Sequence, residues 1–402
     1  MARCLSQARK VHTTLKPAKV RVGRSALSLR SRLARSGRRS RTRRRRNWPS
    51  RSRNFPLPES AWILPLALIL VLPLGAAAQS QNSKSESLIR HGQRALDAED
   101  FARAASDFEQ ARQLSPDNLE VNRGLLLSYL QMKRLDDAEN IGQAAVERWP
   151  QDAQLQHWLG LVYFKKGQNP KALELLQRSE NLDGSRYGIH LDVALVLLSG
   201  DQYSAAGEEL ERTVKLDPEA ALAHVLLGRC YQNTNRTVPA IEQFKMALRL
   251  EPNIPLGHYH LGFAYASVGR KHGAIAQYEK ELAQTPDNPS VLYQLGHCLL
   301  EAGDLQAAVS HLKRAAGLDP SNSDAAYDLG KALLLEGDAE GAIFALRHAL
   351  ALKPSDPSPH YQLARALQRT GREAEAQQEF QNFSALKKNQ PVQGGMAAGP
   401  TQ

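Results

Sequence analysis

The chain has 402 residues and a formal net charge of +11, but the positive charge is concentrated at one end. Residues 1–57 contain 19 Lys or Arg and no Asp or Glu, so the remainder carries 33 basic and 41 acidic residues. This distribution excludes the chain-wide basic surface of a nucleic-acid-binding protein. The three cysteines exclude a disulfide scaffold and a multi-cysteine zinc cluster.

The first segment, residues 1–57, is predicted to be a disordered basic leader. It includes four consecutive arginines at 43–46, which repel one another and have no acidic residue nearby. Its length is unusual for a signal peptide. A translation start downstream of Met1 would explain it, and an Arg-rich organelle transit peptide is the alternative explanation.

Residues 58–78 have the layout of a secretory signal peptide. An uncharged apolar run at 61–74 precedes the small residues Ala76, Ala77 and Ala78, which favours cleavage after Ala78 and leaves a short linker at 79–84. An uncleaved span at 61–78 is the alternative, because its length approaches the ~20 residues that cross a bilayer. The sequence therefore predicts an exported, periplasmic or cell-envelope protein, or one anchored in the inner membrane by residues 61–78.

From Ser85 the chain repeats with a period of 34 residues. The repeat divides residues 85–390 into nine units: 85–118, 119–152, 153–186, 187–220, 221–254, 255–288, 289–322, 323–356 and 357–390. Counting from the start of each unit, position 20 is always alanine, and position 8 is glycine or alanine in eight units. Position 32 is proline in seven units: Pro116, Pro150, Pro218, Pro252, Pro286, Pro320 and Pro354.

This pattern resembles the tetratricopeptide repeat (TPR) family, whose 34-residue unit has small residues at positions 8 and 20 and proline at position 32. The resemblance implies an all-α fold, an α-solenoid of tandem helix-turn-helix repeats that form a right-handed superhelix. The residues agree, because apolar side chains recur at helical spacing within each unit and predict two amphipathic helices. One such pair cannot bury its own apolar face, so the array requires stacking.

Residues between the helices predict where each helix ends. Glycines after the first helix are expected to adopt positive φ, and Asn288 and Asn322 are placed to cap the following helix. Prolines in three units are expected in a first helical turn, where a missing N–H is tolerated. The glycines are Gly167, Gly269, Gly303, Gly337 and Gly371, and the prolines are Pro255, Pro289 and Pro357. Residues 391–402 lack apolar periodicity and are predicted to be a disordered tail.

The sequence lacks the phosphate-binding, dinucleotide-binding, serine-hydrolase and zinc-protease motifs, so we predict neither an enzyme nor a cofactor. His190, His224 and His258 recur at position 4 of their units. Successive units lie about 10 Å apart, too far for these imidazoles to share one metal ion. We predict no metal site. Cys230 and Cys298, both at position 10, are expected to be small core residues.

The family resemblance implies a concave groove lined by positions 2, 5, 9, 12 and 13 of each first helix. In units six to nine position 5 is always tyrosine and position 9 is aromatic or cationic, and we predict that these residues bind a protein or peptide partner. The candidate residues are Tyr259, Phe263, Tyr293, His297, Tyr327, Lys331, Tyr361 and Arg365. The alternative is that the rings only pack against the neighbouring unit. A second candidate surface is the apolar strip of units two to four: Leu127, Leu130, Leu161, Phe164, Leu195 and Leu198.

The prediction from sequence is a non-catalytic protein-interaction scaffold of the cell envelope that binds no nucleic acid and meets a membrane only through residues 61–78. Two alternatives stay open. The chain could be the substrate-docking or regulatory arm of an enzyme supplied in trans, or an envelope-biogenesis factor. Oligomeric state does not follow from the sequence.

Overall fold

The computed structural model describes residues 72–389, which contain eighteen α-helices and no strand. Consecutive helices pack against each other along the whole described chain. The helices are α1 Leu72–Asp97, α2 Phe101–Leu114, α3 Leu119–Gln131, α4 Leu135–Arg148, α5 Ala153–Lys165, α6 Asn169–Leu182, α7 Tyr187–Ser199, α8 Tyr203–Leu216, α9 Ala221–Asn233, α10 Thr237–Leu250, α11 Gly257–Ser267, α12 Lys271–Gln284, α13 Pro289–Ala302, α14 Leu305–Leu318, α15 Ser323–Glu336, α16 Ala339–Leu352, α17 Pro357–Arg369 and α18 Glu373–Asn389.

The helices form the nine predicted pairs, so the α-solenoid of tandem repeats is confirmed. Odd-numbered helices are the first helices of their units and even-numbered helices are the second. The first helix, α1, begins at Leu72, so residues 79–84, which the sequence predicts as a linker, are helical. The leader, the apolar run up to residue 71 and the tail at 391–402 lie outside the described residues. No helix in the described part is both long and apolar enough to cross a membrane.

The alanines at position 20 occupy the helix crossing within each unit. All nine are buried, with at most 1% of their surface exposed. The facing position 8 is equally restricted. A Cβ atom on Gly228 would lie 2.5 Å from the Phe244 ring, and one on Gly330 would lie 2.5 Å from Leu346 Cγ. The two helices of a unit therefore approach closely because these positions carry little or no side chain.

The turn between the two helices has one repeated conformation. Position 15 has positive φ in all nine units, and in five units it is the predicted glycine, such as Gly303 at φ 89° and Gly337 at φ 107°. The other four units reach the same left-handed region without glycine. Their residues are Glu99, Lys133, Asp201 and Asn235, with φ between 57° and 60°.

The predicted caps are confirmed for Asn288 and Asn322, whose side chains accept backbone N–H bonds in the first turns of α13 and α15. Pro289 and Pro357 begin their helices as predicted. The prediction for Pro255 is wrong, because α11 begins at Gly257. Leu256 takes a left-handed conformation there, and its N–H donates to the buried Glu281 carboxylate at 3.2 Å.

Candidate functional site

The four candidate tyrosines lie at position 5 of α11, α13, α15 and α17. Tyr259, Tyr293 and Tyr327 are half-buried and pack against the apolar clusters between units, whereas Tyr361 is 42% exposed. The Tyr361 ring packs at 5.4 Å from the Phe383 ring on the last helix, measured between centroids. The tyrosines therefore contribute to packing between helices and also present part of each ring to the surface.

Burial keeps the hydroxyl groups of Tyr293 and Tyr327 protonated. Burial raises the pKa of both side chains. The nearby carboxylates of Asp328 and Asp324 raise the pKa of Tyr293 further. A protonated hydroxyl can donate a hydrogen bond to a carbonyl or carboxylate of a ligand.

The position-9 residues follow one helical turn after the tyrosines. Phe263 is 39% exposed, and the His297 side chain is exposed to the same extent. His297 Nδ1 lies 2.8 Å from Oδ2 of Asp328, a nearly buried carboxylate on the next first helix. Lys331 and Arg365 form no ion pair with a carboxylate in the described part of the chain, and Arg365 donates to Gln362 Oε1 at 3.3 Å. At position 9 the cationic character therefore rests on Lys331 and Arg365, because Asp328 balances His297.

The hydrogen bond from His297 to Asp328 raises the pKa of the imidazole. Nearby Glu301 adds to this effect and Lys331 opposes it.

Because the pKa of His297 is higher in the folded chain, its protonation stabilises the fold. This stabilisation is fully present below the unfolded-state pKa of about 6.5, and it is lost as the pH rises through the folded-state pKa. We expect the melting-temperature difference between the unmodified chain and His297→Gln to be largest below about pH 6.5 and to shrink at higher pH. Thermal unfolding across a pH series measures it. A difference that stays constant with pH would contradict this assignment.

Two further residues belong to the same surface, and the sequence analysis did not single them out. Leu335 is 47% exposed at the end of α15. Arg369, at the end of α17, donates from Nη1 to the carbonyl of Leu334 and so lies beside Leu335. Both occupy position 13, a groove position in this family, and that was the signal by which the sequence could have identified them.

The apolar strip of units two to four is less accessible. Leu127, Leu161 and Leu195 are half-buried, and Leu130 and Leu198 are buried. Polar groups on this face pair with each other. Arg123 pairs with Asp152, and His157 Nε2 lies 2.7 Å from Asp192 Oδ2. The exposed aromatic and apolar groove residues are instead in units six to nine.

Two of the position-4 histidines, His190 and His224, join consecutive units. Nε2 of His224 donates to the Pro218 carbonyl at 3.0 Å, and Nε2 of His190 donates to the Gly184 carbonyl at the same distance. Asn122 and Gln156 make the equivalent bond in units two and three. In units two to five a polar side chain at position 4 thus satisfies a carbonyl group at the end of the preceding unit.

One of these histidines lies in a group of possible metal ligands. His190 Nδ1 is 2.8 Å from Glu209 Oε2 and 3.6 Å from Glu180 Oε1. Arg212 Nη1 contacts both carboxylates, at 2.8 and 2.9 Å. The guanidinium already supplies the positive charge that this carboxylate pair requires.

The two cysteines outside the leader are buried and unpaired. Burial raises the pKa of the Cys230 and Cys298 thiols to about 11. Both are core residues as predicted, and their thiols are unreactive at neutral pH because the thiolate is the reactive form.

Comparison with known proteins identifies the repeat. One tetratricopeptide repeat model matches residues 95–157 and 333–398, and a second matches 191–255, 259–322 and 293–357. No curated protein sequence matches the chain significantly.

Several solved structures are similar to parts of the chain. MamA from Desulfovibrio magneticus RS-1, solved from residue 41 to its end, is 24% identical with a TM-score of 0.41, over 42% of this chain and 96% of the solved chain. YrrB, reported as a TPR protein with an unusual peptide-binding site, is 21% identical with a TM-score of 0.42. The match covers 46% of this chain and 96% of the YrrB chain. PilF from Pseudomonas aeruginosa is 19% identical with a TM-score of 0.46. The match covers 52% of this chain and 94% of the PilF chain.

Proposed function

The chain belongs to the tetratricopeptide repeat family, and from this premise we propose that it is a non-catalytic scaffold that binds an extended segment of a partner protein. The binding surface is the groove face of the first helices in units six to nine. The observation that carries the proposal is that the groove positions of these first helices present exposed aromatic rings and cations without a carboxylate partner. They are Phe263, Tyr361, Lys331 and Arg365.

The packing of the groove rings favours binding. Tyr259, Tyr293 and Tyr327 are held by neighbouring helices, so a ligand that covers their remaining surface immobilises few free side chains. Aromatic residues and arginine contribute disproportionately to protein interfaces, since they combine a large apolar area with a polar group. Lys331 and Arg365 add attraction for acidic side chains, which weakens as the salt concentration rises.

The double substitution Phe263→Ala and Tyr361→Ala should abolish capture of the partner from a cell-envelope extract. The two rings are 39% and 42% exposed, so their removal should leave the helix content unchanged. Affinity purification from the native organism, with mass spectrometry of the captured proteins, measures the effect.

The matched control is Phe344→Ala. Phe344 is 80% exposed on α16, a second helix outside the groove, so this variant should retrieve the same partners as the unmodified chain. If the double variant is fully helical and still captures the same proteins at equal yield, the groove of units six to nine is not the binding surface. The apolar strip of units two to four would then be the next surface to test.

We also propose that the scaffold acts outside the cytoplasm, after export by the segment at 58–78. The support is the apolar run followed by three alanines. N-terminal sequencing of the native protein should find Gln79 as the first residue, which places the start of the mature chain within α1. A start upstream of Ala61 in membrane-bound material would instead establish an uncleaved anchor.

A further inference from the structure

Residues 323–372, from the start of α15 to the turn before α18, contain both paired and unpaired cations. Between residues 323 and 372, three of the six Lys and Arg side chains form ion pairs with carboxylates: Arg347 with Glu375, Lys353 with Asp324, and Arg372 with Glu340. The other three are Lys331, Arg365 and Arg369. Within this described segment, all the cations without a carboxylate partner lie on the first helices, at groove positions 9 and 13.

Apolar and aromatic surface accompanies these cations. Tyr361 precedes Arg365 by one turn of α17, and Leu335 follows Lys331 by one turn of α15. Arg369 bridges the two helices through its bond to the Leu334 carbonyl. The surface is therefore complementary to a segment that carries negative charges beside compact apolar residues.

The spacing of the cations restricts the conformation of that segment. Lys331 and Arg365 hold the same position in successive units, and α15 contacts α17 directly. Helices in direct contact lie about 8–10 Å apart. A polyproline II segment rises 3.1 Å per residue with three residues per turn, so every third side chain faces the same way at ~9.3 Å spacing. An extended β-strand presents same-face side chains at ~6.7 Å or ~13 Å, which is further from this helix spacing.

We infer that the partner segment of the proposed scaffold is an acidic, proline-containing stretch in polyproline II conformation, with Asp or Glu at every third position facing Lys331 and Arg365. This inference rests on the proposed function and adds the class of ligand. The tyrosines support it, because polyproline II segments bind in grooves lined with aromatic rings. Tyr327 and Tyr361 repeat with the same 34-residue period as the two cations.

Two fluorescein-labelled peptides with blocked ends test the inference. The first contains four Pro-Pro-Asp triplets. The second has the same composition in a different order: four Asp-Pro pairs come first, and the remaining Pro residues follow. No two Asp residues in it are three positions apart. By fluorescence polarisation with the full chain, we expect the triplet peptide to bind at least ~10-fold more tightly, with affinity falling as salt rises. The double variant Lys331→Gln and Arg365→Gln should lose this preference.

The control variant Arg347→Gln and Arg372→Gln removes two paired cations outside the groove and should keep the preference. Equal affinity for the two peptides, or tighter binding of the alternating peptide, would overturn the inference. Binding of neither peptide would also overturn it. If neither binds while the Phe263→Ala and Tyr361→Ala variant still loses its natural partner, the proposed function stands and only the ligand class is wrong.

Discussion

Replacing Phe244 with alanine should lower the free energy of unfolding by about 3–5 kcal/mol, because the ring is fully buried. The ring lies on α10, under Gly228 of α9, and stacks on His260 of α11 at 5.5 Å between centroids. It therefore fills space within unit five and between units five and six. The helices are joined to their neighbours along the array and cannot fully collapse into the space that the ring leaves. Urea unfolding followed by far-ultraviolet circular dichroism measures the change.

Phe344→Ala is the matched control for Phe244→Ala, because the residue types are the same and only the burial differs. Phe344 is 80% exposed, and its removal should change the stability by no more than about 0.5 kcal/mol. Similar losses in the two variants would show that the assignment of buried and outward faces in the second helices is wrong.

Gly330→Ala should destabilise the array by about 1–2 kcal/mol, the net of overpacking and a gain in helix propensity. A Cβ atom at this position would lie 2.5 Å from Leu346 Cγ and 3.3 Å from the backbone oxygen of Ala342. The Leu346 side chain has to shift, and the tight contact with the backbone oxygen of Ala342 on α16 remains after it does. Urea denaturation gives the difference directly.

The same substitution at Gly317 should have the opposite sign. Gly317 lies in the last turn of α14, and a Cβ atom there meets nothing within 4 Å. Gly317→Ala should therefore stabilise the chain by about 0.5 kcal/mol, since alanine loses less backbone entropy than glycine in a helix. Destabilisation at both positions would contradict the helix-crossing explanation for Gly330.

The groove was only partly predictable from the sequence. The period placed Tyr259, Tyr293, Tyr327 and Tyr361 at equivalent positions, and the structure finds them on four successive first helices. The share of each ring that stays exposed depends on its neighbours. Tyr361 is the most accessible because it packs on the last helix, whereas the other three rings pack into clusters between units.

The charge of the groove could not be read from single positions. His297 appeared to add a cation, but Asp328 on the next first helix balances it. The two residues are 31 positions apart and meet only because α13 and α15 pack together. Arg369 and Leu335 come together in the same way, through a contact between α15 and α17.

The sequence by itself determined the repeat, its register and the helix crossings, because each of these depends on residues recurring at one position in every unit. Alanine at position 20 in every unit, and glycine or alanine at position 8 in eight units, let the two helices cross closely. Tertiary structure alone decided the left-handed turns at Glu99, Lys133, Asp201 and Asn235, which carry no glycine signal, and the start of α11 after Pro255. It also decided which groove charges are balanced. The physical reason is that these features depend on contacts between different helices, which the pattern within a single unit does not contain.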